Sequence, residues 1–170
     1  DATFMRMKDD HMRNGQLKPG YNLQIATNNQ FVLAFGVYSN PGDTRTLEPF
    51  LKSIEELYGD IPEYIVADAG YGSERNYTMI LDDFEKTPLI TYSMYIKEKK
   101  RKYKKDPFNT TNWVYNELDD YYICPNNKEL RFQGYRKRRD GQGYQKDFKQ
   151  YQCEGCADCL LRSECMKRAK

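Results

Sequence analysis

Apolar and polar residues alternate from Tyr21 to Thr27 (YNLQIAT), with Tyr21, Leu23 and Ile25 set against Asn22, Gln24 and Ala26. That period of two predicts a β-strand. Phe31 to Ser39 (FVLAFGVYS) is denser in apolar residues and predicts a buried strand. The Asn28-Asn29 turn between them makes the pair a hairpin. Pro41-Gly42-Asp43 then breaks the chain. Asp43 reads as a helix cap, because Leu47, Phe50, Leu51, Ile54 and Leu57 follow at helical spacing and the run ends near Gly59. Ile61 to Asp68 predicts a third strand. Ser73 suits the cap of a second helix containing Met79, Ile80, Leu81 and Phe84, and Pro88 to Tyr92 predicts a fourth strand. Residues 1–20 are polar with a weak pattern. Residues 21–93 therefore read β-β-α-β-α-β, an α/β (α+β) arrangement in which a helix links parallel strands of a mixed sheet.

The pattern changes after Tyr95. Short aromatic-rich strands follow over residues 112–151 (WVYNEL, YYICP, ELRFQGYRKR, YQKDFKQY), with a hairpin turn at Asp140-Gly141-Gln142-Gly143. These predict a small β-meander. The expected domains are residues 1–95, a helix-and-sheet core, and residues 96–170, a basic, aromatic-rich β insertion.

Composition narrows the function classes. The chain has 170 residues, a formal net charge of only +2 and 39% hydrophobic content. No global field drives binding, so local charge matters more. No apolar run approaches the roughly 20 residues of a membrane span, and no secretion signal opens the sequence. A cytoplasmic protein without a membrane partner is the expectation. The opening DATFMRMK reads as part of something longer.

The strand-end segment YIVADAGYGSERN raises the chemical question. Tyr64-Ile65-Val66-Ala67 stops at Asp68, and Gly70 and Gly72 let the backbone turn away. Functional groups in open α/β sheets gather beyond the carboxyl ends of strands. A carboxylate there suits a hard cation such as Mg²⁺. The plain alternative is that Asp68 caps the turn before the second helix.

Four of the five cysteines crowd into thirteen residues, as C-x2-C-x2-C-x5-C at Cys153, Cys156, Cys159 and Cys165. Cys124 stands apart. With no secretion signal, metal binding is favoured over disulfides. Zn²⁺ takes four tetrahedral ligands, so five thiols compete for four places in a closed structural site. An iron–sulfur cluster is the alternative metal.

Two basic stretches stand out. One holds Lys97, Lys99, Lys100, Arg101, Lys102, Lys104 and Lys105; the other is Arg136, Lys137, Arg138 and Arg139 at the predicted hairpin tip. Each also fits a solvated linker or a soluble hairpin end. Cations interleaved with aromatics suit phosphate contact, and Trp113 is a candidate for base stacking, although most aromatics here must serve as core. His11, the single histidine, reads as a surface residue, and Asp9 and Asp10 have no strand-end context.

VADAGYGSERN resembles the strand-end motif of DDE-type transposases of bacterial insertion sequences, where a "DAGY" segment carries the second of three catalytic acids. KPGYNLQIAT resembles the preceding strand of that family, and NPGDTRTLEPFL the loop and helix between. The resemblance implies a partial RNase H-like mixed sheet with helices, followed by a cysteine-containing insertion with a zinc-type knuckle. It implies that Asp68 is a catalytic, Mg²⁺- or Mn²⁺-binding acid, that DNA ends are the substrate, and that cutting and joining proceed by two-metal phosphoryl transfer. It also favours Cys124, Cys156, Cys159 and Cys165 as zinc ligands, with Cys153 the alternative. The family's first acid lies in a "DGT"-like strand, absent here, and Asp1 is a poor match. Glu164, inside the cysteine cluster, does not fit the third acid. Both missing acids are therefore expected outside residues 1–170, leaving this chain inactive alone. An unpaired sheet edge would then invite a homodimer. Two other classes remain open: a non-catalytic nucleic-acid-binding zinc module, and a hydrolase using Asp68 on another phosphate ester.

Overall fold

The computed structural model describes residues 1–6, 14–141 and 143–168. His11, Asp9 and Asp10 lie outside the described residues. The chain forms two compact units, Asp1–Ser93 and Met94–Lys170.

In the first unit, an antiparallel hairpin precedes everything the alternation predicts: β1 (Thr3–Arg6) pairs with β2 (Leu17–Gly20). Then come β3 (Asn22–Asn28) and β4 (Phe31–Tyr38), joined through Asn29 and Gln30, both at positive φ. Helix α1 (Leu47–Tyr58) buries Leu47, Phe50, Leu51 and Ile54, one stripe at i, i+3, i+4 and i+7. It ends at Gly59, whose φ of 79° lets its N–H return to Glu55 O at 2.7 Å. Strand β5 (Tyr64–Ala67) runs parallel to β6 (Thr87–Ile90), and the connection holds α2 (Glu74–Thr78), which passes into a π-turn over Met79–Asp83. Ser73 caps α2 as expected, its Oγ accepting from Asn76 N–H at 3.1 Å.

The expected mixed sheet is not continuous. Among the described residues, β3 pairs only with β4, and β5 only with β6. The open edges of β3 and β5 border a groove of about 210 Å³, floored by Leu47, Phe50, Leu51 and Ile54 of α1. A core of Ala34, Ile61, Ile65, Met79, Ile80 and Ile90 joins the same α1 stripe.

The dense apolar run predicts a buried strand, but in β4 Ala34 is buried while Phe31, Val32, Phe35 and Val37 stand exposed. Gln24 is 2% exposed, whereas Leu23 and Ile25 are 57% and 56% exposed. The small residues Ala26 and Ala34 pack with the core, and the larger cross-strand pairs Leu23–Val37 and Ile25–Phe35 stay on the open face.

The second unit begins with two short helices, α3 (Tyr95–Lys99) and α4 (Arg101–Lys104). A four-stranded antiparallel meander follows: β7 (Val114–Asn116), β8 (Tyr121–Ile123), β9 (Glu129–Arg139) and β10 (Gln145–Cys153), ordered β10-β9-β8-β7. Asp120, at positive φ before β8, stitches it together. Its carboxylate accepts from Tyr115 OH at 2.7 Å, Tyr151 OH at 2.6 Å and Lys149 Nζ at 2.9 Å. A last short helix, α5 (Arg162–Cys165), holds the final cysteine.

Candidate functional site

Asp68 stands exposed at the carboxyl end of β5. One carboxylate oxygen, Oδ1, accepts from Gly70 N–H at 2.7 Å and so caps the 3-10 turn of Ala69–Tyr71. The capping and strand-end readings therefore describe the same residue. Only one of its two oxygens is used for the cap among the described residues.

Asp43 is the correction. It does not cap α1: the N-cap position belongs to Thr46, which makes no side-chain capping bond. The Asp43 carboxylate instead accepts from Asn22 Nδ2 at 2.8 Å and Gln24 Nε2 at 3.2 Å. Gln24 also donates to Asn22 Oδ1 at 2.7 Å and accepts from Tyr71 OH. A buried amide needs such partners, and Asn22, Asp43 and Tyr71 supply them to Gln24. The network joins β3, the loop before α1 and the turn after β5.

That turn brings the two acids together. A Cβ placed on Gly70 would stand 2.9 Å from Asp68 Oδ1 and 3.0 Å from Asp43 Oδ2, so those oxygens lie within about 6 Å of each other. Thr44 Oγ1 donates to Gly70 O at 2.9 Å. Asn76, 1% exposed, donates through Nδ2 to Thr44 O at 3.0 Å and Tyr71 O at 2.7 Å. Burial raises the Tyr71 phenol above its ordinary range, and the charges of Asp43 and then Asp68 push it the same way. Two oxygen-bearing acids beside an open turn are hard donors suited to a divalent cation. Among the described residues, no three Cys, His, Asp or Glu side chains are set to hold a metal ion.

All five cysteines are free thiols and line one cavity of about 60 Å³, with Phe108, Trp113, Leu130 and Leu161 among its walls. Cys124 opens a Cys-Pro-Asn-Asn-Lys turn in which Lys128 N–H donates to Cys124 Sγ at 3.4 Å. Asn126 Nδ2 donates to Cys159 Sγ at 3.5 Å. Cys153 behaves differently: its Sγ donates to Glu154 O at 3.3 Å. Burial first, then Cys156, pushes the Cys153 thiol up to about 11. The Cys165 thiol is also raised, by burial and then by neighbouring thiols. Glu164, inside the cysteine cluster, pairs with Lys167.

The cations Lys99, Lys100, Arg101, Lys102, Lys104 and Lys105 lie exposed along α3 and α4, and Arg136, Lys137, Arg138 and Arg139 lie exposed on β9. Trp113 is half-buried, and its Nε1 donates to Pro107 O at 2.8 Å. Its ring walls the cysteine cavity, which ties it to the fold of this unit.

Sequence reasoning missed Asn22, Gln24, Tyr71 and Asn76. The available signal was the polar i, i+2 pair inside an apolar strand, which two solvent-facing positions explain equally well.

No helix among the described residues is long and apolar enough to cross a membrane. Compared with known proteins, residues 1–159 match the family model described as "transposase DDE domain". No curated protein and no solved structure matches the chain.

Proposed function

Because the chain belongs to the transposase DDE domain family, we propose that its parent protein cuts and joins DNA at the ends of a mobile element by two-metal phosphoryl transfer. Asp68 is one of the acids that hold the cations. The observation that carries this reading is its placement: an exposed carboxylate at the end of a parallel strand, with one oxygen capping a turn and the other without a partner among the described residues. Its oxygen donors suit Mg²⁺ or Mn²⁺, which when bound polarise a phosphoryl oxygen and activate water or a 3′-hydroxyl.

A partial RNase H-like core over residues 1–95 is supported by the hairpin β3-β4, the helix α1 and the parallel pair β5-β6. The groove between the open edges of β3 and β5 suits a further strand, the place for a first acid from a segment before residue 1. The third acid, Glu, belongs to a helix after residue 170. On this reading residues 1–170 alone neither nick nor join DNA, since one triad acid supplies too few ligands for two cations. The open edges also support pairing with a second copy.

Residues 96–170 are read as a DNA-contacting insertion closed by structural Zn²⁺ on Cys124, Cys156, Cys159 and Cys165. Support comes from the shared cavity, the N–H donors to Cys124 and Cys159, and the engagement of Cys153 with Glu154. The parent acts in the bacterial cytoplasm.

The test is Mg²⁺-dependent nicking of the element's own end by the parent protein, wild type beside Asp68→Asn, after equal folding is shown. Loss in the mutant alone supports the assignment. Equal activity makes Asp68 a turn cap only. Inactivity of both, with DNA binding retained, favours a non-catalytic nucleic-acid-binding zinc module.

A further inference from the structure

The distal part of the β9–β10 hairpin carries its cations on two chemically different faces, and a bulge sorts them. Phe132 pairs with Tyr151, and Gly134 pairs with Gln150, leaving Gln133 as an extra residue in β9. Gly134 has φ 151°, a conformation that favours glycine. Strand β10 keeps its period through the bulge, so paired residues beyond it share faces set by β10. Tyr135 and Lys149 then join Phe132 and Tyr151 on the side of the meander's aromatic cluster. The ring centroids of Phe132 and Tyr135 lie 5.2 Å apart, and Lys149 Nζ lies 5.6 Å from the Phe132 centroid.

The opposite face holds Arg136, Arg138, Lys146 and Phe148, through the pairs Arg136–Phe148 and Arg138–Lys146. Its paired strand positions carry three cations, and Asp140 and Tyr144 close the hairpin beyond them. The Arg138 guanidinium lies 5.5 Å from the Phe148 ring centroid. Arg136 and Arg138 make no ion pair among the described residues. The other distal face interleaves Lys137 and Arg139 with Asp147, the partner of Lys137 in register.

We propose that the face of the β9–β10 ribbon carrying Arg136 and Arg138 is the surface laid against duplex DNA, with Lys137 and Arg139 turned away from it. This rests on the reading of residues 96–170 as a DNA-contacting insertion and assigns the contact to one face. A two-stranded ribbon fits the major groove. Guanidinium groups bind phosphate through paired N–H donors, and the strand positions beside Arg136 and Arg138 hold no carboxylate to repel the DNA backbone, whereas Asp147 stands opposite Lys137.

The experiment measures binding of the 170-residue chain to a fluorescein-labelled duplex by anisotropy across a salt series. Two variants remove equal charge from interleaved positions of one strand: Arg136→Ala/Arg138→Ala and Lys137→Ala/Arg139→Ala. Circular dichroism confirms that both keep the wild-type fold, and Arg136→Gln/Arg138→Gln, which removes the same charge and keeps a long polar side chain, replaces the alanine pair should it unfold. Loss of two phosphate contacts flattens the slope of log affinity against log salt by about 2. That change is expected for the Arg136/Arg138 pair, as alanine or as glutamine, and a much smaller one for Lys137/Arg139. Equal effects from the two alanine pairs, or a larger effect from Lys137/Arg139, overturn the face assignment while leaving DNA contact standing. No binding by wild type overturns both.

Discussion

Asp68 and Asp43, 25 positions apart in the chain, press on the same side of Gly70. Oδ1 of the first and Oδ2 of the second each approach to about 3 Å the point where any other residue would carry its Cβ. A side chain at this position would crowd both carboxylates, so one of them would have to swing aside. The turn therefore reports directly on how closely the acids are held.

Gly70→Ala must displace at least one carboxylate, and because the crowding atoms are side-chain ends the cost is at the low end of over-packing, about 1 kcal/mol. Gly42→Ala is the matched control, since nothing lies within 4 Å of a Cβ at Gly42, and surface changes of that kind usually stay within about 0.5 kcal/mol. Urea denaturation of both variants checks the difference. Equal midpoints would show that the acids are not held at this turn.

Asn76→Ala leaves the carbonyls of Thr44 and Tyr71 without their amide donor in a buried place. The expected loss is about 1–3 kcal/mol. Ser73→Ala, which removes only the helix cap, should cost about 1 kcal/mol. Denaturant titration of each variant separates the buried stitch from the cap.

Asp120 ties acid stability to the meander. Hydrogen bonds from Tyr151 first, then Tyr115 and Lys149, hold its carboxyl down at about 2. A depressed carboxyl stabilises the fold above its ordinary pKa, near 3.9, and that contribution is lost as pH falls from there towards 2. Asp120→Asn should flatten the stability–pH curve in that window. Tryptophan fluorescence of Trp113 during acid titration follows it, and an unchanged acid limb would remove Asp120 from that role.

The cysteines divide by what their sulfurs touch. Protein prepared without chelator should carry about one equivalent of zinc. Cys124→Ser should lose it and loosen the meander, whereas Cys153→Ser should keep it. Metal analysis beside thermal unfolding reads both, and retention of zinc by Cys124→Ser would move the site to the four local thiols.

Local signals were legible, and distant ones were not. The spacing of Leu47, Phe50, Leu51 and Ile54, the cap at Ser73 and the strand end at Asp68 depend on neighbours within a few residues, and the structure has each in place. Asp43 looks like a cap because Pro41-Gly42 precedes it and an apolar helix follows. Its carboxylate is claimed by Asn22 and Gln24, about twenty residues earlier, a contact that no local pattern announces.

The alternation of β3 announced the strand but not which face turns inward. Periodicity of two cannot say which set of side chains faces the helix. Ala26 and Ala34 are small enough to pack against the helix side, and Gln24 is tolerated inside because its amide is satisfied. The cysteine spacing announced a cluster. That Cys124 would line the same cavity follows from meander order, which places β8 beside β9 and β9 beside β10.

The extra residue Gln133 has a consequence for how the ribbon can change over generations. Deleting that one codon would leave Phe132 opposite Tyr151 and Gly134 opposite Gln150, so each distal pair and each distal face would survive. What would go is the local bend and added twist that a bulge imposes. The direction in which the hairpin points is thus inherited separately from the charges it displays, and a lineage can re-aim the arm without rewriting its chemistry.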